Sequence, residues 1–200
     1  MYMIGKYSII IALAVAMAGC AAMDKMAGMG VVTQSTSTFD NATIIEASPN
    51  SLYAPGNALG TPLQMGARWS SAAPDSVAIV LAYNANVSGS APAYLGLSAI
   101  EINIDGTVSS YSAGQQTDMN SSGYNTVSHT IYTSSRNAIV VPYSVLQRMV
   151  AAKDCRLRIH TSSGYQDIDF SAEHIPGGKA TAILSIKELM AKVARVRAAG

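Results

Sequence analysis

The stretch LSAIEINIDGTVSSYS, Leu97 to Ser112, decides the fold class. Ile100, Ile102 and Ile104 alternate with Glu101 and Asn103, which is the period of a strand with one buried and one solvated face. Asp105-Gly106 then supplies two residues that tolerate positive φ, so Thr107 to Ser112 is expected to pair back onto Leu97 to Ile104 as an antiparallel hairpin.

Working outward, the same signals recur on both sides. Toward the amino terminus, Ala42 to Ala47 is β-rich, and the folded part is expected to begin near Phe39. Pro49, Pro55, Gly56, Gly60 and Pro62 mark a long irregular connection. Leu63 to Ser70 and Ser76 to Tyr83 read as strands, the second a continuous apolar run of the kind buried on both faces. Asn84 to Pro92 reads as loop. Toward the carboxyl terminus, Gln115 to Asn125 reads as a polar loop, and Thr126 to Thr133 and Ala138 to Val141 as the next strand pair.

Beyond Val141 the pattern changes. Pro142 suits the first turn of a helix running to about Ala152, with Val145, Leu146, Met149 and Val150 on its apolar side. Arg156 to Thr161 and Gln166 to Ser171 form a second expected hairpin around Ser162-Ser163-Gly164-Tyr165. With Thr161 opposite Gln166, Leu157 pairs with Phe170 and Ile159 with Ile168 on one face, and Arg158 with Asp169 and His160 with Asp167 on the other. A last helix ends near Ala198, with Ile183, Ile186, Met190 and Val193 inward and Glu188 four residues before Lys192 outside. Its start is open: Ser185 with Glu188 fits a capping box, while Ala182 to Leu184 fit either helix or a short strand. No internal repeat is evident. The expected fold class is α+β, mainly β: an antiparallel sheet or β-sandwich with two helices in the C-terminal third, as one domain over residues 38–200.

Composition narrows the class of function. The chain has 200 residues, of which 12% are charged, against roughly 25% in an average soluble protein. Ser, Thr, Asn, Gly and Tyr stand where charges would otherwise be. Residues 26 to 135 hold one basic side chain, Arg68, against Asp40, Glu46, Asp75, Glu101, Asp105 and Asp118, while the remainder is net basic. This asymmetry is too mild and dispersed for nucleic-acid binding. Two cysteines, Cys20 and Cys155, provide no disulfide framework and no zinc spacing. A Cys20 to Cys155 bridge is open only if Cys20 is unmodified.

The first twenty residues carry an address. Lys6 gives a positive start, Ser8 to Ala18 is an almost unbroken apolar run, and Ala18-Gly19 precede Cys20. That is the layout of a secretory signal peptide, and the run is shorter than the roughly 20 residues a membrane span requires. Met17-Ala18-Gly19-Cys20 resembles the lipobox of bacterial lipoproteins. The resemblance implies that Cys20 receives a diacylglyceryl group, becomes the mature amino terminus and, with Ala21 following, is passed to the outer membrane of a Gram-negative host. Met17 departs from the leucine usual at that place. The alternative is ordinary cleavage after Ala18, with Ala16-Met17-Ala18 as the A-x-A site. Acylation would hold the protein firmly, because each buried methylene contributes about 0.8 kcal/mol. Losing Lys6 leaves the mature chain formally neutral. Residues 1–19 are thus expected as leader and 20–37 as lipidated cysteine and flexible tether, with a reach on the order of 20–25 Å.

The chemistry-bearing residues favour binding over catalysis. Cys155 shares the parity of Leu157 and Ile159 and should be a buried, inert thiol, with His160 on the other face. His160, Asp167, Asp169, Glu173 and His174 offer either a weak metal site or a cross-strand ion-pair ladder; the ladder is the preferred reading. There is no G-x-S-x-G elbow, P-loop, HExxH, dinucleotide or calcium-loop motif. No catalytic residue, metal or cofactor is assigned. Tyr94, Tyr111, Tyr124 and Tyr165, beside Ser/Gly/Asn-rich loops, suit either recognition surfaces or sheet edges. The leading expectation is a non-catalytic envelope lipoprotein on the outer membrane, facing the periplasm and binding or supporting another envelope component, an envelope protein or glycan. The alternatives are an envelope hydrolase with Ser, His and Asp from separate loops, and a phage- or plasmid-encoded surface lipoprotein that excludes related elements.

Overall fold

The computed structural model describes residues 25, 27–56, 62–175 and 181–199. The leader and the lipobox, with Cys20, lie outside the described residues. The protein is mainly β and antiparallel throughout. In chain order the strands are β1 (Val32–Thr36), β2 (Thr43–Ser51), β3 (Leu63–Ser70), β4 (Ser76–Asn86), β5 (Leu97–Ile104), β6 (Thr107–Ser112), β7 (Asp118–Asn125) and β8 (Thr130–Pro142). Helix α1 (Tyr143–Ala151) follows, then β9 (Cys155–Thr161), β10 (Gly164–Asp169), a 3-10 turn and helix α2 (Ala182–Ala199). Six strands form one sheet in the order β1-β2-β3-β4-β8-β7, and four form a second in the order β10-β9-β5-β6.

The two sheets share one core. Period-2 alternation turns Ile45, Met65, Ala67, Trp69, Ile79, Leu81 and Ile139 of the larger sheet toward Ile100, Ile102, Leu157 and Ile159 of the smaller, all nearly inaccessible. A fully buried Leu or Ile contributes about 1.5–3 kcal/mol, so this layer dominates stability. The smaller sheet meets the larger through β5 and β6 against β8, while α2 lies over β1, β2 and β3. Ala182, Ile183, Ile186, Leu189 and Val193 supply the buried stripe of α2. Helix α1 buries Tyr143, Val145, Leu146 and Met149, and Val150 is half-buried.

Several boundaries differ from the sequence expectation, each for an identifiable reason. The fold starts earlier than Phe39, because Val32–Thr36 pairs with Thr43–Ala47 in β1·β2. The chain is already tied to β2 before that: Ser48 Oγ donates to Gly28 O at 2.7 Å, and Ser48 N donates to Val31 O at 2.9 Å. The stretch expected to be a tether over 20–37 is therefore part of the sheet from β1 onward. Strand β2 continues through Pro49 to Ser51 by a register shift between Ala47 and Asn50. A bulge accommodates a residue with no N–H to give the ladder.

The expected loop Gln115 to Asn125 contains β7, and the two expected strands Thr126 to Thr133 and Ala138 to Val141 are replaced by one long strand, β8. Every β7 residue is exposed: as an edge strand wet on both faces it has no apolar alternation to reveal it. In β8 the inward positions Thr133, Ser135 and Asn137 are polar yet buried. They bond the segment leading into β5, with Ser135 Oγ accepting from Leu95 N at 3.0 Å and Asn137 Nδ2 donating to Leu97 O at 2.7 Å. Partnered in this way, a buried polar row continues a strand that its composition would otherwise interrupt.

The second hairpin forms in a different register. Thr161 faces Gly164, Leu157 faces Ile168, Arg158 faces Asp167 and Arg156 faces Asp169, a slip of two residues from the expected pairing. Gly164, at φ +123, closes a tight turn over Ser162-Ser163, where glycine alone is unstrained. A two-residue slip keeps every side chain on its face. The final helix begins at Ala182. Ser185 lies within it, buried, with Oγ donating to Ala182 O at 2.9 Å, so no capping box forms there. Glu188 and Lys192 do not pair with each other: Lys25 Nζ meets Glu188 Oε2 at 3.0 Å, and Lys192 Nζ donates to Val32 O at 2.7 Å.

Candidate functional site

The outer face of the four-stranded sheet carries the charged residues singled out in the sequence. Arg158 makes a two-point contact with Asp167, Nε to Oδ1 at 2.7 Å and Nη2 to Oδ2 at 2.9 Å. The Tyr165 ring stacks on it, 4.2 Å from Cζ to the centroid. Arg156 reaches Asp154 at 2.9 Å and Asp169 at 4.0 Å, and His160 Nε2 lies 2.7 Å from Glu101 Oε1. The hydrogen bond from Arg158 holds the Asp167 carboxyl below its ordinary pKa. This is a cross-strand ladder in which the charges are already partnered. A shallow recess of about 460 Å³ lies between Glu101, Asn103, Arg156 and Asp169. His174 sits 3.7 Å from Asp154, away from His160. Among the described residues no group of three or more His, Cys, Asp or Glu is placed to hold a metal ion.

Cys155 lies on the inner face of β9 with no accessible surface. Burial, with the nearby charges of Asp154 and Asp105, pushes its thiol up to about 12. Its backbone N–H donates to Ser171 Oγ at 2.6 Å. His160 is on the opposite face of the strand. The three histidines contact Glu101, Asp154 and, for His129, the Tyr124 hydroxyl at 3.3 Å. Among the described residues no histidine ring is hydrogen-bonded to a serine or threonine; Ser98 Oγ donates to the His160 carbonyl at 3.4 Å, not to its ring. The four tyrosines do not converge: Tyr111 packs against the core, Tyr165 covers Arg158, and Tyr94 and Tyr124 are exposed elsewhere.

The larger recess, about 670 Å³, lies on the outer face of the six-stranded sheet. Glu46, Arg68, Ala78 and Val140 form one cross-strand row, Gly66, Val80 and Ala138 the next, and Ala82, Arg136 and Asp118 a third. Arg136 Nη2 meets Glu46 Oε1 at 3.1 Å, an ion pair from β8 to β2 that passes over β3 and β4. In a flat sheet those strands are about 14 Å apart, and Arg136 lies four residues along β8 from Val140 in the row of Glu46, about 13 Å more along the strand; the diagonal of about 19 Å exceeds what the two side chains and their contact span. The pair forms because the sheet curls into a half-barrel whose outer face is concave. Small residues permit the curl: a Cβ on Gly66 would overlap Ala47 O and lie 2.9 Å from Pro49 N.

The trough has an apolar floor and a charged rim. Val80 and Ala82 are nearly covered although they point outward, whereas Val140 is 64% exposed. The Arg68 side chain makes no hydrogen bond or ion pair with any other described residue. A cation without a partner beside exposed aliphatic surface is equipped to receive a group carrying negative charge and apolar bulk. In the sequence Arg68 stands out only as the lone basic residue of a long acidic stretch. That isolation was the available signal.

The molecule is thus a curled, two-sheet antiparallel β domain with a concave outer trough. No family model, curated protein or solved structure matches the chain.

Proposed function

We propose that the protein is a non-catalytic, lipid-anchored envelope lipoprotein that binds another envelope component through the trough of its six-stranded sheet. The observation that carries the reading is the order Ser8–Ala18, Met17-Ala18-Gly19-Cys20, Lys25: an export signal, a lipobox-like cysteine, and five residues later a side chain packed on the body. Five residues span at most about 18 Å, so an acyl group on Cys20 would hold the domain close to a lipid surface. No helix among the described residues is long and apolar enough to cross a membrane. The bacterial outer membrane, with the domain toward the periplasm, is the proposed location. The trough supports a binding role because its floor is apolar and Arg68 is unpartnered.

Two measurements test this. Mass spectrometry of the native amino terminus should find a diacylated or triacylated Cys20; a chain starting elsewhere removes the anchor. A photocrosslinking amino acid at Val140 should capture an envelope protein or glycan in intact cells, whereas the same probe at Arg158 should capture far less. Equal capture, or none at either place, removes the trough as the binding face.

A further inference from the structure

We infer that the outward face of α2 rests on an anionic phospholipid leaflet and fixes the orientation of the domain; this depends on the reading of Cys20 as a lipid anchor. Three observations converge on that face. The anchor exits there: Lys25, five residues after Cys20, is held against α2 by its contact with Glu188. The face is a surface that a bilayer can approach closely. Leu184, Lys187, Ala191, Ala194, Arg195 and Ala198 recur at helical spacing and are all exposed, so short side chains form the middle of the stripe and Leu184 adds apolar surface at one end.

The third observation is charge segregation. Lys25 and α2 contribute Lys25, Lys187, Lys192, Arg195 and Arg197 against the single acid Glu188; Lys187 and Arg195 lie on the outward stripe, while Lys25 pairs with Glu188, Lys192 donates to Val32 O and Arg197 turns back onto Trp69, Tyr143 and Pro74 O. The rest of the described body holds ten acidic residues against six basic ones, so it is net acidic. An anionic surface therefore attracts the α2 side and repels the remainder, an effect that acts within about 10 Å at physiological salt. With at most about 18 Å of chain between Cys20 and Lys25, the anchor lets the face come within that range. Because α2 covers the inner side of β1, β2 and β3, its outward face and the trough lie on opposite sides of the six-stranded sheet. With α2 on the lipid, the trough points away from the membrane.

The test uses natively processed protein, purified from membranes, with its amino terminus read by mass spectrometry. Ala191→Cys and Val140→Cys are each labelled with an environment-sensitive maleimide, buried Cys155 remaining unlabelled, and reconstituted into vesicles containing brominated lipid. On vesicles with about a third phosphatidylglycerol, the probe at position 191 should be quenched severalfold more than that at 140. The double variant Lys187→Glu/Arg195→Glu, both exposed positions, should reduce the 191 signal to the 140 level, and pure phosphatidylcholine should weaken the contrast for the unaltered helix. An acylated protein with equal quenching at both positions overturns this inference alone. So does a probe at 191 that is shielded without being quenched, which would place a protein on α2. A mature chain without acylated Cys20 overturns the anchor and this inference together.

Discussion

The outer faces of the two sheets both meet water and both carry arginines, yet they handle charge in opposite ways. On the four-stranded sheet Arg158 is locked between Asp167 and Tyr165, and Arg156 between Asp154 and Asp169. On the six-stranded sheet Arg68 has no partner among the described residues, and Arg136 reaches across two strands to Glu46. The first face spends its charges on holding register; the second leaves charge and aliphatic surface available to a ligand. On the proposed reading, the binding face is not the one richest in ionisable residues but the one where a cation is left without a partner.

The contrast is breakable. The largest effect should come from the trough itself: Gly66→Val places a side chain against the backbone of the bulge at Ala47 to Pro49 and should cost about 3 kcal/mol or more in urea denaturation. A near-neutral Gly66→Val would mean that the curl does not depend on close approach of β2 and β3. Next, Ser171→Ala strands the buried Cys155 N–H beneath the four-stranded sheet and should cost about 1–3 kcal/mol.

A double-mutant cycle with Arg158→Ala and Asp167→Ala should give a coupling smaller than either of those losses, since the pair is exposed and screened by solvent. That coupling has a defined pH dependence. The folded Asp167 carboxyl titrates below its ordinary 3.8, so its contribution is complete above that pH and fades as the pH falls through the lower folded value. A coupling that grew on acidification would refute the ladder. The smallest effect on stability should be that of Arg68→Ala, within about 0.5 kcal/mol, while crosslinking from Val140 drops severalfold. If Arg68→Ala destabilised more than Arg158→Ala, the roles of the two faces would be exchanged. Separately, the Cys155 thiol, raised to about 12 by burial, should resist maleimide at pH 8 until denaturant is added.

Much of the fold was legible because it is local. The hairpin Leu97 to Ser112 forms where Asp105-Gly106 places it, and Ile100 and Ile102 are inside as their alternation requires. Helix α1 follows from Pro142, which ends β8 and caps the helix. The ladder on Arg158 and Asp167 was visible as opposite charges of one parity, although the partner of each was misassigned by two positions. The trough was not legible. Its clasp joins residues 46 and 136, its lining comes from five strands, and none of Ala78, Val80 or Ala138 is distinctive by itself.

The amino-acid sequence by itself determined which segments alternate, which face of each strand is apolar, where the tight Asp105-Gly106 turn falls, and the proposed address at Cys20, since these depend on neighbours within a few residues. The tertiary structure alone decided the register of β9 with β10, the recruitment of β1 and β7 as sheet edges, and the curl that brings Arg136 to Glu46. The physical reason is that a period of two fixes a face and leaves pairing undetermined by any even slip. Only packing against distant strands selects one pairing, and with it the curled outer face that carries Arg68.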